Sequence, residues 1–219
     1  MKKPLSLIFL FSFLISFSQN ETNTTEIWDN YLSTISDKEV INNIKTYYRE
    51  NIMTTKFGEI KTISRIKYPN KVYRETFLPN GVRTIHIFNG INGSVKIDGE
   101  IKQMNETEIE DFKDLALIFP DFYYSHAKGN ISIKETTNDY YKIKVKSNSG
   151  NITYYLVDKR SFELKNIIST DFDLQPIEFQ TIDKIKTMKF GLMIIGKDTL
   201  TIKNLKTEYN IEISDNIFK

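Results

Sequence analysis

The 219-residue chain contains no cysteine, and this absence removes several structures and chemistries at once. The chain can form no disulfide, offers no thiolate for a metal or for nucleophilic catalysis, and has no cysteine that could carry a lipid anchor. Histidine is almost as scarce, because only His86 and His126 occur. A histidine-rich metal centre is therefore not expected, and we predict neither a metal site nor a cofactor.

An excess of charge of one sign is also lacking. The chain carries 30 Lys and Arg against 28 Asp and Glu. Two of the basic residues, Lys2 and Lys3, lie in a segment that we interpret as a signal, so the mature chain would have a formal net charge of zero. A neutral chain has no long-range attraction to a phosphate backbone. We therefore expect no nucleic-acid partner.

Residues 1–18 predict export. Two lysines precede an apolar stretch from Leu5 to Phe17, and the small residues Ser16 and Ser18 stand where a signal peptidase would cut. This order is typical of a secretory signal, and the stretch is shorter than the ~20 residues of a membrane-spanning helix. We predict that residues 19–219 form one exported, periplasmic domain that is soluble and not lipidated.

Alternation of apolar and polar residues with a period of two is the main pattern of the mature chain. Residues 59–68 place one set of side chains on a common face: Ile60, Thr62, Ser64, Ile66 and Tyr68. This pattern predicts a strand with one wet face, and turn sequences such as Pro79-Asn80-Gly81 separate successive runs. We count about 10–12 strands, including a single strand over Val95–Ile101. The predicted fold is α+β, mainly antiparallel β.

Two segments instead show helical spacing of their apolar residues. The first follows Thr25, a suitable N-cap, and carries one apolar stripe: Ile27, Trp28, Tyr31, Leu32 and Ile35. The second is predicted over residues 105–119, with Asn105 as N-cap and Pro120 ending the helix. We expect both helices to cover the concave side of the sheet.

No residue pattern points to catalysis. Ser94 follows a glycine-rich turn, but a strand rather than a helix is predicted after it, unlike the nucleophile elbow of hydrolases. Neighbouring acids such as Glu108 and Glu110 fit a solvated helix face. Apolar and aromatic residues are plentiful, with 15 Phe and 12 Tyr. We predict a protein that is not an enzyme.

Several short motifs follow one another in an order that is found in one superfamily. They are the strand–Pro-Asn–strand corner at Ile66–Val72, the turn and strand at Phe88–Val95, the helix after Asn105, the strand and turn at Tyr154–Phe162, and the ending Ile213–Phe218. With the signal, they give a chain that resembles the periplasmic lipoprotein carriers, the LolA/LolB-like or outer membrane lipoprotein-sorting proteins, as a divergent member. Tyr68 stands where those carriers have the arginine that latches the lid.

The resemblance implies a half-open (unclosed) curved β-barrel with covering helices, which binds an apolar ligand in its concave face. The implied partners are a lipid or a lipoprotein acyl chain, with an envelope membrane protein as a further partner. The candidate lining residues are Ile60, Ile66, Tyr68, Val72 and Phe88 on the sheet and Trp28, Phe112, Leu115 and Phe119 on the helices.

Other interpretations stay open. The chain could be a non-catalytic structural or interaction protein of the cell envelope, in which side chains fill the barrel core. A hydrolase would need a nucleophile and a base that the sequence does not place together. An outer-membrane barrel would explain the alternating lysines 142, 144 and 146, but the helix predicted over residues 105–119 would interrupt its strands.

Overall fold

The computed structural model describes residues 24–124 and 130–219, and the predicted signal at residues 1–18 lies outside them. One antiparallel sheet carries short helices. The elements are α1 (residues 24–35), α2 (Lys38–Asn42), β1 (Thr46–Thr55), β2 (Gly58–Lys67), β3 (Lys71–Phe77), β4 (Arg83–Phe88), β5 (Gly93–Ile97), β6 (Glu100–Gln103), α3 (Glu106–Leu115), α4 (Pro120–Tyr124), β7 (Ile131–Thr136), β8 (Tyr140–Lys146), β9 (Ile152–Asp158), β10 (Leu164–Ile168), β11 (Asp173–Ile182), β12 (Ile185–Ile195), β13 (Asp198–Tyr209) and a terminal 3₁₀ turn (Asp215–Phe218).

The sheet consists of two meanders joined at its centre. The strand order is β6-β5-β4-β3-β2-β1-β13-β12-β11-β10-β9-β8-β7, so every neighbour is sequential except the pair β1 and β13. The edge strands β6 and β7 are consecutive in the chain, and α3 and α4 lie between them. The predicted unclosed, half-open curved barrel with helices is confirmed, with 13 strands rather than 10–12.

Cross-strand register identifies the inner face of the sheet. Tyr47 of β1 pairs with Ile66, Ile66 pairs with Val72, and Val72 pairs with Phe88. Directly paired residues point to the same side of a sheet, and this row packs with Phe112 of α3 in one cluster. The face that carries this row is therefore the concave face beneath the helices.

The prediction of one strand over Val95–Ile101 was wrong. The chain turns at Asp98 and Gly99, with φ angles of 48° and 96°, and returns as β6. Two successive residues with positive φ form the kind of tight hairpin turn that Asp-Gly favours. The two residues therefore join two strands instead of interrupting one.

The second predicted helix is shorter than expected. Asn105 caps α3 as predicted: its Oδ1 accepts from the Glu108 N–H at 3.0 Å, and Glu108 Oε2 accepts from the Asn105 N–H at 2.7 Å. The helix ends at Leu115, however, and Pro120 opens α4 instead of ending α3. Proline suits the first turn of a helix because its missing N–H would have no partner there. Phe119 consequently lies in the α3–α4 connection.

The helices are short, and they pack against the sheet through their apolar faces. None of the helices within the described ranges combines the length and apolar character of a membrane-spanning helix. α1 buries its predicted stripe, with Ile27, Trp28, Tyr31 and Leu32 all in one core cluster against β8 and β9. The sheet thus holds the helices at its concave side, where the candidate site is formed.

Candidate functional site

A buried carboxylate joins three separate elements of the helical cover. Tyr31 of α1 and Tyr155 of β9 donate their hydroxyls to Asp121 Oδ2 and Oδ1 of α4, at 2.7 and 2.8 Å. The indole N–H of Trp28 donates to the Asp121 carbonyl oxygen at 3.3 Å. Hydrogen bonds to a charged acceptor are among the stronger ones in proteins. They fix α1 and α4 relative to the sheet.

Burial dominates the electrostatics of this network. It raises the pKa of Asp121 above its ordinary value, while the two tyrosine hydrogen bonds act in the opposite direction. Burial, followed by the charge of Asp121, raises the pKa of Tyr31 and Tyr155 well above their usual range. Both hydroxyls are therefore protonated donors at neutral pH.

Beside this network lies a cavity of about 270 Å³, which we call the sheet cavity. Its floor is the concave face of β10 to β13 and β1, and its cover comes from α1 and the α3–α4 connection. The lining is mostly apolar and consists of Tyr31, Thr34, Ile35, Tyr47, Arg49, Ile118, Phe119, Asp121, Glu163, Leu164, Ile167, Leu174, Pro176, Phe179, Lys186, Thr187, Met188 and Tyr209.

A second cavity of about 210 Å³, the side cavity, lies on the other side of the α3–α4 connection. It is lined by Lys38, Ile41, Asn42, Ile44, Lys45, Tyr68, Leu117, Ile118, Phe119, Phe122 and Tyr123. Ile118 and Phe119 belong to the walls of both cavities. The Phe119 ring lies 5.8 Å from the ring of Tyr209. Ile118 and Phe119 therefore form the wall between the sheet cavity and the side cavity.

The charged side chains that line the sheet cavity have different kinds of partner. Lys186 forms an ion pair with Glu163, and Asp121 is held by its tyrosines. Arg49 is different, because its Nε donates to the neutral Asn51 Oδ1 at 2.9 Å and no described ion pair includes it. Within the described residues, no three His, Asp or Glu side chains are grouped so that they could hold a metal.

The structure brings only part of the predicted set to these cavities. Phe119 lines both, and Tyr68, which is 54% exposed, lines the side cavity. Ile66, Val72, Phe88 and Phe112 do lie together, but as a buried cluster with Met104 and Ala116. The remaining residues line neither cavity: Trp28 is buried behind Tyr31, Ile60 is half-buried on β2, and Leu115 is 39% exposed on α3.

The sequence analysis did not select the floor of the sheet cavity, which Leu164, Ile167, Leu174, Phe179 and Met188 provide. Apolar runs over these strands are visible, but their alternation does not identify the inner face. The register of β11 on β12 shifts between Pro176 and Phe179, and a shift of one residue exchanges the two faces of a strand. A bulge signal at Pro176, within an otherwise regular strand, was the available clue.

Comparisons with known proteins connect this geometry to a fold. No protein-family model matches the chain, and no curated protein matches its sequence. Among solved structures, a DUF1329 family protein from Desulfovibrio piger has 12% identity and a TM-score of 0.56, covering 90% of this chain and 97% of its own. A LolA superfamily protein from Nitrosomonas europaea has 10% identity and a TM-score of 0.56, with coverages of 90% and 97%.

A putative outer membrane lipoprotein-sorting protein domain from Vibrio parahaemolyticus is similar to the same extent. It has 10% identity and a TM-score of 0.54, and the match covers 91% of this chain and 97% of that domain. The predicted LolA-like fold is thereby confirmed. At such low identity the likeness concerns the fold.

Proposed function

We propose that this chain is an exported, periplasmic binding protein that holds an apolar ligand in the sheet cavity and carries out no catalysis. The ligand would be a lipid or a lipoprotein acyl chain. The observation that carries the proposal is a cavity of about 270 Å³ with a mainly apolar lining, which lies between the concave sheet and the helices. Apolar cavities with a few polar groups are the usual form of a small-ligand site.

The size of the cavity suits an aliphatic chain. A dry apolar cavity of about 150 Å³ is enough to bind benzene, so the sheet cavity has room for a longer ligand. Each methylene group that leaves water contributes ~0.8 kcal/mol. Ten of them would contribute roughly 8 kcal/mol before the costs of ordering the ligand and the protein are subtracted. Hydrophobic transfer alone would therefore support binding.

The α3–α4 connection offers a way to enlarge the site. Ile118 and Phe119 separate the sheet cavity from the side cavity, so their displacement would join the two spaces and admit a longer chain. The energy for this movement would come from burial of the ligand, which binds the open arrangement better than the closed one. In this mechanism Ile118 and Phe119 move, while the sheet and the helices that Asp121 joins stay in place.

The fold supports the choice of ligand and partner. One solved protein with this fold is described as a putative lipoprotein-sorting domain, and we extend that role here as a proposal. An envelope membrane protein would then deliver or receive the ligand, since an acyl chain does not cross water unaided.

The first experiment is extraction of the purified mature protein followed by lipid mass spectrometry. We expect a co-purifying acyl lipid, and after its removal we expect the neutral probe decanol to bind and to change the fluorescence of Trp28, the only tryptophan in the chain. Trp28 is a suitable reporter because its ring lies 4.9 Å from that of Tyr31, which lines the cavity. A lipid-free protein that ignores decanol would contradict the proposal and favour the structural role with a filled core.

Two matched variants locate the site. Ile167→Phe places extra volume in the sheet cavity and should reduce decanol affinity at least about tenfold, because the ring occupies the space of the ligand. Ile177→Phe makes the same change on the neighbouring strand β11, where the side chain is 50% exposed and lines neither cavity. It should leave the affinity unchanged. Equal effects of the two variants would place the binding elsewhere.

A further inference from the structure

A row of polar side chains continues the inner face next to the sheet cavity. Arg49 of β1 pairs with Ser64 of β2, Ser64 pairs with Arg74 of β3, and Arg74 pairs with His86 of β4. Each lies two residues along its strand from the apolar row under α3, and therefore points to the same side of the sheet. We call these four residues the arginine row. Arg49 is also part of the cavity wall.

Within the described part of the chain, the two arginines of this row have no counter-ion. No ion pair between residues of the described ranges includes Arg49 or Arg74. Burial lowers the pKa of Arg74, and the charge of Arg49 lowers it further, so the two guanidinium groups lie close enough to repel each other. Taking a charge out of water without a partner is costly. An anion placed between them would offset this cost.

His86 adds a polar group without a partner to the row. Its Nδ1 is buried without a hydrogen-bond partner in the described structure, and its ring stacks at 5.5 Å on Phe112 of α3. Burial and then the charge of Arg74 lower the pKa of His86, while Glu108 of α3 raises it. Glu108 is already engaged in the helix cap. Within the described residues, Glu108 forms no ion pair with Arg49 or Arg74.

Arginines on the outer face are arranged differently. Arg65, which adjoins Ser64 on β2, lies over the rings of Tyr48 and Tyr73 at 5.2 and 5.4 Å. Arg83 of β4 forms an ion pair with Glu75. Each of these guanidinium groups thus has an aromatic or a carboxylate partner. Among the described residues, Arg49 and Arg74 of the inner face have neither an ion pair nor a ring contact of this kind.

We infer that the sheet cavity takes an anionic amphiphile, whose carboxylate or phosphate head group binds between Arg49 and Arg74 while its alkyl chain fills the apolar space. Guanidinium groups bind both anions through paired hydrogen bonds, and the Ser64 hydroxyl between them can donate another. The inference rests on the proposed function and adds the chemical class of the head group.

The test compares four probes of equal chain length on the delipidated mature protein by isothermal titration calorimetry. These are decanoate, decyl phosphate, decanol and decylammonium. We expect the two anions to bind about tenfold or more tightly than decanol, and decylammonium to bind most weakly. The relative affinities of decanoate and decyl phosphate then distinguish the two anionic head groups.

Arginine variants assign the effect to the row. Arg49→Gln and Arg74→Gln should each remove most of the preference for decanoate over decanol, measured as the ratio of the two affinities in the same variant. Arg49→Lys keeps the charge and should keep most of the preference, which guards against a misfolded Gln variant. Arg65→Gln is the matched control, because it removes a guanidinium from the outer face of the adjoining strand.

The outcomes separate this inference from the proposed function. Decanol and decanoate binding with equal affinity, or a preference that survives both Gln variants, would overturn the anionic head group and leave the apolar cavity intact. Failure of all four probes to bind would overturn the proposed function together with this inference.

Discussion

Two regions of the same concave face treat the space beneath the helices in opposite ways. The closed half, formed by β2 to β5 under α3, is filled by Ile66, Val72, Phe88, Met104, Phe112 and Ala116. The open half, formed by β10 to β13 and β1 under α1 and the α3–α4 connection, leaves about 270 Å³. Both halves have apolar strands, so the apolar strand pattern does not explain the difference.

The difference lies in how the cover is held. In the closed half a small residue lets the cover approach: a Cβ added at Gly93 would meet Met104 Sδ at 2.2 Å, so Met104 fits because Gly93 has no side chain. In the open half the cover is fixed by polar contacts, because Asp121 accepts from Tyr31 and Tyr155. A buried carboxylate with two donors cannot move into apolar space without losing them. The cover is therefore held above the floor.

The largest expected effect comes from deleting a ring in each half. Phe88 is fully buried in the closed half, and Phe88→Ala should lower the free energy of unfolding by ~3–5 kcal/mol because it leaves a new void. Phe179→Ala in the wall of the sheet cavity should cost less than about 2 kcal/mol, because that ring already borders space. Urea unfolding followed by circular dichroism measures both. Similar losses would mean that the two halves are equally packed.

The polar support of the open half gives the next effect. Tyr155→Phe removes one donor to Asp121, and at neutral pH it should cost ~1.5–3 kcal/mol, the usual contribution of a hydrogen bond to a charged group. Tyr154→Phe is the matched control on the same strand, since the Tyr154 ring contacts Lys142 instead of Asp121. Chemical unfolding of both variants at pH 7 tests the difference.

The pH dependence of this loss has a definite sign. Burial raises the folded-state pKa of Asp121 above its ordinary value of 3.8. The stability that comes from binding this proton is present below pH 3.8 and is lost as the pH rises through the folded-state pKa. Tyr155→Phe removes a hydrogen bond that lowers this pKa, so the variant should lose more stability than the parent as the pH rises. A loss that is larger at pH 4 than at pH 7 would contradict the assignment.

Adding volume should distinguish the halves in the reverse sense. Val72→Phe inserts a ring into the closed half, where Val72 is 2% exposed, and should destabilise the fold by ~1–3 kcal/mol through overpacking. Ile167→Phe has the sheet cavity to occupy and should change stability by less than about 1 kcal/mol. Thermal unfolding of the ligand-free variants provides the measurement. Equal costs would indicate that the cavity closes around other side chains in solution.

The sequence predicts the closed half better than the open half, and the reason is physical. Strand alternation places Ile66 on the inner face, and the cap at Asn105 locates α3, because both signals come from neighbouring residues. The open half depends on contacts between distant positions. Tyr31 and Asp121 are 90 residues apart, and no local sequence pattern predicts their hydrogen bond. Register shifts in β11 add to the problem.

The arginine row illustrates the same limit within one strand. Ser64 and Ile66 belong to the alternating set that the sequence places on one face of β2. This alternation would predict an apolar inner wall only if the residues paired with that face on the neighbouring strands were also apolar. The strands that adjoin β2 instead bring Arg49 and Arg74 to the level of Ser64. Because register between strands decides which rows are polar, the local pattern predicts the face but not its chemistry along the strand.

The smallest expected effect concerns the N-terminus of α3. It tests whether the closed and open halves are independent. Asn105→Ala removes the side-chain cap from the Glu108 N–H and should cost ~1 kcal/mol, whereas Asn105→Asp keeps a capping oxygen and should cost little. Because no residue of α3 lines either cavity, decanol affinity should be the same in both variants as in the parent. A parallel fall in affinity and stability would show that α3 and the α3–α4 connection move together, so that fraying at Asn105 reaches Phe119 and the wall that divides the two cavities.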